Sequence, residues 1–390
     1  FLGKYLGIEM GEPYNQKSID NISRNINNLP YVRLSSNPKL TFQNSEATLI
    51  INLEQRRINQ IDGIIGFLPN ASNDNNLMIT RQLDMELFNP FGKGRNIGIH
   101  WQKLKENSQN LALKYAQPNI LNSPIDFQFN FSFLKEDTLF TDRNVRLKLD
   151  YRLSAESTFS SITDFKTTNL LETSIYEDNT SLPELIDFTF NSYGLRFEWH
   201  NLDDVYVPKK GAKFWFEGTA GNKKIMQNNG IPNHLYKDVQ LKSFQYTFGL
   251  LAEKYWNLGK QFVLLNRFQG GQIVNDQLFK NDAYRLGGFN SIRGFNENEF
   301  YATTYSFLTT EARLFLDEFS YLSLFGDVAW LKSNYEGIDD SQTPFGIGAG
   351  ISFSTNAGIF NFVYALGSAQ DKKGFNLGQS KIHFGYISRF

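Results

Sequence analysis

The residues with the clearest potential for chemistry lie in a glycine-rich segment late in the chain, RLGGFNSIRGFNENEF at 285–300. Gly287, Gly288 and Gly294 free the backbone for left-handed turns that other residues resist. Arg293 stands among small and apolar neighbours. A flexible loop that carries Arg293 among such neighbours predicts a specific role for this guanidinium, and that role depends on the kind of wall that surrounds the loop.

Enzymatic and metal-binding arrangements are absent from the sequence. It contains no HExxH, GxSxG or GxxxxGK motif, which would supply a metal site, a nucleophile or a phosphate-binding loop. The four histidines, His100, His200, His234 and His383, have no metal-ligand spacing, and there is no cysteine. The sequence therefore predicts neither an enzyme nor a cofactor. A net charge of -1 also argues against a nucleic-acid partner.

Alternation of apolar and polar residues is the dominant pattern along the chain. It is regular in IDFQFNFSF (125–133) and in VRLKLDYRL (145–153). Successive side chains of a strand point to opposite faces, so each segment has one apolar and one polar face. Aromatic residues make up 15% of the chain although its mean hydropathy is -0.38. A transmembrane β-barrel with an apolar exterior and a polar lumen explains both values better than a soluble sandwich does.

About sixteen antiparallel strands can be identified from this pattern, an even number typical of bacterial single-chain barrels. We place them near 57–68, 76–88, 95–104, 110–117, 124–135, 143–153, 155–166, 187–202, 211–221, 240–255, 260–272, 299–316, 319–332, 344–354, 357–367 and 381–390. Tight turns (89–94, 255–259, 316–319 and 354–358) alternate with long links (167–186, 222–239, 273–298, 333–343 and 368–378). Outer-membrane barrels have short turns on one rim and long loops on the other.

Residues 1–56 show a different pattern. Ile19, Ile22, Ile26 and Leu29 recur at helical spacing, and two short alternating segments follow, KLTFQN and ATLIINLEQ. A helix and two strands provide too little apolar surface for an independent core. We therefore expect the last part of a small α+β domain whose beginning is missing.

Several segments resemble the BamA/TamA superfamily of outer-membrane insertases and translocators, over essentially the whole chain. They are GEPYNQKSIDNISRNINNLPYV, GLRFEWHNLDDVYVPKKGAKFWFE, LGGFNSIRGF and the aromatic last strand. The most specific match is to the family's (V/I)RG(F/Y) motif, formed here by Ile292, Arg293, Gly294 and Phe295. The resemblance implies that 1–56 is the end of the last periplasmic POTRA domain. It also implies that 57–390 is the barrel in a Gram-negative outer membrane.

For the glycine-rich segment, the resemblance implies that loop 273–298 folds back into the lumen and that Arg293 meets acidic residues of the inner wall. Asp327 and Glu311, on the predicted thirteenth and twelfth strands, are the best candidates. Alternation supports Asp327, which shares a strand face with Ser323. The loop would then be held by Arg293 as by a latch. A purely bracing role, with no moving part, remains the alternative.

The junction between the first and last strands is a second candidate site. Gly63, Gly66 and Pro69 in the first strand, and Gly385 in the last, are unfavourable for stable strand pairing. A weak seam could open sideways and offer its backbone to an incoming strand. Alternatively, the glycines only relieve crowding. The terminal Phe390 resembles an outer-membrane sorting signal or an interface anchor.

The resemblance and these features together predict a protein that helps to fold or insert client proteins into the outer membrane at the seam. Its partners would be outer-membrane lipids, unfolded outer-membrane or secreted clients, and accessory lipoproteins. Two other functions remain open. One is a two-partner-secretion pore that passes an unfolded substrate through the lumen, and the other is a passive or scaffold barrel within a larger complex.

Overall fold

A computed structural model describes residues 3, 6, 8, 10–27, 29, 32–55, 59–69, 77–103, 107–205, 207–355, 358–369, 374 and 380–388. Residues 1–56 contain the 12-residue helix α1 (Gln16–Asn27) and four short strands. These are β1 (Val32–Leu34), β2 (Lys39–Gln43), β3 (Glu46–Ile50) and β4 (Leu53–Gln55). Three short 3-10 helices lie in later connections, at Ile120–Asn122, Ser174–Tyr176 and Asn233–Tyr236.

The N-terminal region folds around a small apolar core. Strand β1 pairs with β4, and β2 pairs with β3, each antiparallel. Ile22 and Ile26 of α1 are fully buried and pack with Leu6. Partly buried side chains, including Ile19, Val32, Leu34, Leu49 and Ile51, surround them. The predicted helix and short strands are therefore present, and their apolar faces cover one another.

The rest of the described chain forms a large antiparallel sheet that closes into a barrel. Its strands are β5 (Gln60–Pro69), β6 (Leu77–Phe88), β7 (Asn96–Lys103), β8 (Gln109–Gln117), β9 (Ile125–Glu136), β10 (Phe140–Arg152), β11 (Ser157–Leu170), β12 (Phe188–His200), β13 (Gly211–Ile225), β14 (Lys242–Asn257), β15 (Phe262–Val274), β18 (Thr304–Phe315), β19 (Tyr321–Tyr335), β20 (Ile338–Gln342), β21 (Phe345–Thr355), β22 (Gly358–Ser368) and β23 (Lys381–Ser388). Two further strands, β16 (Tyr284–Leu286) and β17 (Phe300–Ala302), form a separate hairpin.

The seventeen strands of the barrel occupy sixteen positions around it. Strand β20 pairs with one end of β19, where Gln342 lies opposite Leu331, and β21 pairs with the rest of it, beginning with Phe345 opposite Val328. Strands β20 and β21 together therefore form one interrupted position. Two predicted segments were wrong. The long link expected at 333–343 is mostly strand, because β19 continues to Tyr335 and pairs there with β20 (Ile338–Gln342). The segment expected as a single strand at 299–316 is split, because Phe300–Ala302 pairs with β16 and only Thr304–Phe315 enters the barrel.

Alternation divides the strands into outward and inward faces as predicted. On neighbouring strands, Phe165, Phe197 and Phe216 are exposed on the outside. The intervening positions face inward, where Asp164 is buried and forms an ion pair with Arg146. The exterior is therefore apolar and aromatic, and the inner wall carries the charges. Among the described residues, no helix is long and apolar enough to cross a membrane.

The two rims of the barrel differ. One rim, here called the long-loop rim, bears the described connections 171–187, 226–241 and 275–303. The other, the short-turn rim, bears 89–95, 153–156, 258–261 and 316–320. The N-terminal region lies at the short-turn rim. A polar cavity of about 500 Å3 there is lined by Arg33 and Glu54 from the N-terminal region and by Asp203, Lys209 and Glu318 from two turns.

Candidate functional site

The segment between β16 and β17, residues 287–299, lies against the inner wall of the barrel; it is called the inner loop below. Its glycines have the left-handed backbone predicted for them, with φ of +113° at Gly287, +93° at Gly288 and +94° at Gly294. Gly294 also approaches β22 closely, since a Cβ there would lie 2.6 Å from the backbone nitrogen of Gly367. Any residue with a Cβ at this position would force one of the two backbone segments to move.

The guanidinium of Arg293 is bound by both acidic residues singled out in the sequence. Its Nε and Nη2 donate to Asp327 Oδ2 and Oδ1, each at 2.8 Å, and its Nη1 donates to Glu311 Oε2 at 2.6 Å. The backbone nitrogen of Arg293 also donates to Asp327 Oδ2, at 3.1 Å. Asp327 has no exposed surface. These bonds fix both the side chain and the main chain of the inner loop to β18 and β19.

Three neighbouring side chains complete this charge cluster. The guanidinium carbon of Arg293 lies 3.4 Å from the centroid of the Phe325 ring. Thr309 donates to Asp327 Oδ1 at 2.8 Å, and Arg313 donates to Glu311 Oε1 at 2.7 Å. Both carboxylates therefore accept bonds from more than one donor, which compensates for their removal from water.

Apolar contacts hold the inner loop on either side of Arg293. Ile292 is fully buried and Phe295 is 4% exposed. They pack in one cluster with Leu286 of β16 and with Tyr305 and Phe307 of β18. Burying these side chains fixes the loop independently of the ion pairs. All four residues of the IRGF segment are thus in contact with the wall or with each other.

Two wall glycines, Gly346 of β21 and Gly367 of β22, form a slot for the inner loop that the sequence analysis missed. A Cβ at Gly346 would collide with the carbonyl oxygen of Arg293. A Cβ at Gly367 would lie 2.6 Å from the carbonyl oxygen of Gly294. The inward face of these strands is therefore smooth where the loop crosses it. The sequence signal was a glycine at inward-facing positions of otherwise apolar strands.

Arg285 attaches the segment at a second point, which the sequence pattern did not indicate. It lies on β16, and its Nη1 and Nη2 are 3.6 Å from Glu136 and 3.5 Å from Asp142. Its guanidinium also lies over the Phe140 ring, at 5.1 Å. In the barrel order, β10 and β19 are seven positions apart out of sixteen. The two arginines thus attach this segment to opposite walls of the lumen.

We expect Arg285→Ala to loosen the inner loop and to cost less stability than Arg293→Ala. Its ion pairs are longer than those of Arg293, but its side chain is only 13% exposed, so the cost should be about 1–3 kcal/mol. Limited proteolysis of the purified protein should cleave 287–299 faster. Arg143→Ala, on the outward face of the same wall, is the control and should be cleaved like the unaltered protein. Equal protection of the loop in both variants would contradict the second attachment.

Long connections form a cap on the long-loop rim. Its apolar core includes Ile186, Tyr236 and Phe279. Lys223, buried beneath this core, forms an ion pair with Asp282. At the surface of the cap, Lys280 donates to Glu184 at 2.9 Å. Burial opposes the charged form of Lys280, but the bond and charge of Glu184 outweigh it and raise the pKa of this ammonium above its ordinary value.

The residues predicted at the seam lie apart from the Arg293 cluster. Gly63 and Gly66 belong to β5 and pair with Leu83 and Thr80 of β6. Gly385 belongs to β23 and pairs with Asn361 of β22. Strands β5 and β23 are neighbours in the closed sheet. Phe390 lies outside the described residues.

A cavity of about 640 Å3, lined by both apolar and polar side chains, separates the tip of the inner loop from the inner wall on the seam side. Phe289 and Asn290 of the loop line it on one side, and Gly385 of the last strand lines it on the other. Asp84 and His100, which form an ion pair, are also in its lining. The loop and the last strand therefore line the same cavity, although they do not share a charge cluster.

Comparisons with known proteins agree with this architecture. A family model described as the Omp85 superfamily domain matches residues 89–390. BamA from Haemophilus ducreyi lacking POTRA domains 1–3 is 13% identical with a TM-score of 0.57, over 100% of this chain and 81% of that one. CdiB from Acinetobacter baumannii is 13% identical with a TM-score of 0.61, over 99% and 70%. CdiB from Escherichia coli is 15% identical with a TM-score of 0.61, over 100% and 74%. No curated protein matches the chain.

Proposed function

Because this chain belongs to the Omp85 superfamily, whose members insert or translocate proteins at the Gram-negative outer membrane, we propose that it helps client proteins to fold or insert at the seam between β5 and β23. The match to the Omp85 superfamily domain confirms the family that the IRGF segment indicated. The choice of insertion at the seam, and every residue role below, is our proposal. Unfolded outer-membrane proteins would be the clients.

Strand length is the observation that carries this proposal. Strands β5 and β23, with 10 and 8 described residues, belong to the side of the barrel with short strands, together with β7 and β8 (8 and 9 residues), whereas β14 has 16. A short strand offers few backbone hydrogen bonds, and glycines within it lower its preference for the sheet. Opening the barrel at the seam would therefore cost less than opening it at β14. The freed edge could pair with an incoming client strand by β-augmentation.

The inner loop supports insertion at the seam over passage through the lumen. It is attached to one wall through Arg293 and to the opposite wall through Arg285. A substrate passing through the lumen would have to break both attachments and expose the buried Ile292 and Phe295. A client entering at the seam leaves them intact. In this proposal Arg293, with Asp327 and Glu311, keeps the lumen occupied while the seam opens.

We also propose that residues 1–56 are the end of the last POTRA domain and face the periplasm. The helix-and-strand composition and the position at the short-turn rim support this assignment. Clients would reach the seam from that side. Accessory lipoproteins would bind this region, since it extends from the barrel into the same compartment.

A translocation pore is the second candidate, and the charged inner wall favours it. Arg146 pairs with Asp164 at 2.6 Å and with Glu217 at 3.1 Å, and Arg196 pairs with Glu217 and Glu198 at 3.3 and 3.0 Å. Charged side chains of this kind favour a hydrated wall at these positions and give an unfolded chain little apolar surface there to bind. For this function the inner loop would have to leave the lumen.

Locking the seam tests the proposal. The sequence has no cysteine, so introduced thiols can pair only with each other. Ile61 and Phe384 are exposed on the outward faces of β5 and β23. Ile61→Cys, Gly63→Cys and Ile65→Cys, which share this face, are each combined with Phe384→Cys, and the combination that forms a disulfide is used. We expect oxidation to abolish most of the protein's acceleration of client folding into phosphatidylcholine vesicles, and reduction to restore it. The control is Leu147→Cys with Thr163→Cys, a pair in register between β10 and β11.

Insertion that continues with the seam crosslinked would rule out the proposal. If a secreted substrate then still crossed the membrane, the translocation pore would be favoured. A scaffold barrel would accelerate neither process, before or after crosslinking.

A further inference from the structure

Two lysines stand side by side on the outer wall at the long-loop rim. Lys224 of β13 lies directly opposite Lys242 of β14 in the strand register. Their side chains point outward, because the preceding residue Lys223 is 1% exposed and points into the barrel. Both lysines are exposed.

This pair has no compensating charge among the described residues of the protein. Like charges directly opposite each other on neighbouring strands destabilise the sheet. No ion pair of the described chain involves Lys224 or Lys242, in contrast to Lys223 on the inner side. Outward positions of β6 to β15 contain no Asp or Glu at all. Since no described acidic side chain relieves this repulsion by an ion pair, a bound anion would relieve it.

The height of the pair places it at the level of lipid headgroups. On the outward face of β14, five uncharged residues separate Lys242 from Lys254: Phe244, Tyr246, Phe248, Leu250 and Ala252. At about 3.4 Å per residue and a tilt of about 40°, the two lysines differ in height by about 31 Å. The apolar band of such barrels is about 25 Å tall. Lys242 and Lys254 thus flank the apolar layer on opposite sides.

Aromatic rings continue from the lysine pair into this layer. Phe244, Tyr246 and Phe248 are 51%, 44% and 38% exposed. Phe244 and Tyr246 are in edge contact with centroids 5.1 Å apart, and the rings of Tyr246 and Phe248 are nearly parallel. They form an apolar stripe on the outward face of β14 that begins two residues from Lys242. The other end of the stripe differs, since Lys254 lies opposite Ala212.

We propose that Lys224 and Lys242 bind the phosphate of an anionic lipid in the leaflet at the long-loop rim, with an acyl chain along Phe244, Tyr246 and Phe248. Both lysines can donate to one phosphate, which removes their mutual repulsion. The stripe supplies the apolar contact that a free phosphate could not use. This site requires only that the barrel is in a membrane, and it does not depend on insertion at the seam.

Lipid titration followed by native mass spectrometry tests the site in the intact protein in neutral detergent. Dioleoyl phosphatidylglycerol should bind more tightly than dioleoyl phosphatidylcholine. We expect Lys224→Gln and Lys242→Gln each to weaken the phosphatidylglycerol complex about fivefold, as for one basic residue at an anionic surface. Lys237→Gln, in a loop of the same rim, is the matched control and should bind like the unaltered protein.

Charge reversal gives a second, independent readout. Lys224→Glu places a carboxylate opposite Lys242, so it should raise the melting temperature without lipid and remove the gain caused by phosphatidylglycerol. Unchanged lipid binding in the double variant Lys224→Gln/Lys242→Gln would overturn the proposal. So would inorganic phosphate that stabilises the protein as much as the lipid does. Neither result depends on client insertion, so the two proposals fail separately.

Discussion

Arg293→Ala is expected to cause the largest loss of stability of any single substitution in the inner loop. The change would leave Asp327 and Glu311 buried without their cation, although each keeps one other hydrogen-bond donor. Breaking a buried pair in this way costs about 3–5 kcal/mol. Unfolding by urea from vesicles should show this decrease, and protease should cleave 287–299 in the folded fraction.

Arg267→Ala is the matched control for this prediction. Arg267 is also an inward-facing arginine, but it pairs with Glu253 on the adjacent strand and is 33% exposed. Its loss should cost about 1 kcal/mol or less and leave the inner loop protected. If Arg293→Ala unfolds at the same urea concentration as Arg267→Ala, the Arg293 cluster does not hold the loop.

The same variant separates a latch from a brace. A latch predicts altered client insertion per folded molecule, and it also predicts a larger conductance in planar bilayers. A brace predicts lower stability with unchanged insertion per folded molecule. Asp327→Asn added to Arg293→Ala should recover part of the stability in either case, because it removes one unpaired buried charge.

Gly294→Ala is expected to displace the inner loop from the wall. The position has φ of +94°, and the new Cβ would lie 2.6 Å from the backbone nitrogen of Gly367. The backbone strain and the overpacking together should cost about 2–4 kcal/mol. The new Cβ would meet backbone atoms of Gly367 and Leu366, so no side chain can rotate away to make room for it. Thermal unfolding and protease protection of 287–299 are the measurements.

Gly326→Ala supplies the control for the glycine prediction. Gly326 precedes Asp327 on β19, has no left-handed backbone, and has open space where a Cβ would stand. We expect almost no change in the melting temperature. A Gly294→Ala variant that melts like Gly326→Ala, with its loop protected, would show that the slot tolerates a side chain.

Much of the barrel could be predicted from local pattern alone. The alternation in 125–133 identifies a strand and both of its faces, because side chains of consecutive residues point in opposite directions. Turn residues and the lengths of the links then separate the two rims. The split of 299–316 could not be predicted, since Phe300–Ala302 has the same local pattern whether it pairs with β16 or enters the barrel.

The sequence by itself determined the alternating strands, the polar inner face, and a flexible glycine-rich loop that carries Arg293. Its carboxylate partners were implied by the family resemblance. The tertiary structure alone decided that Arg285 reaches the opposite wall, that Gly346 and Gly367 form the slot, and that Lys224 faces Lys242. The physical reason is register. Which residues become neighbours across strands depends on pairing between distant parts of the chain, and a slip of one residue would exchange the inner and outer faces.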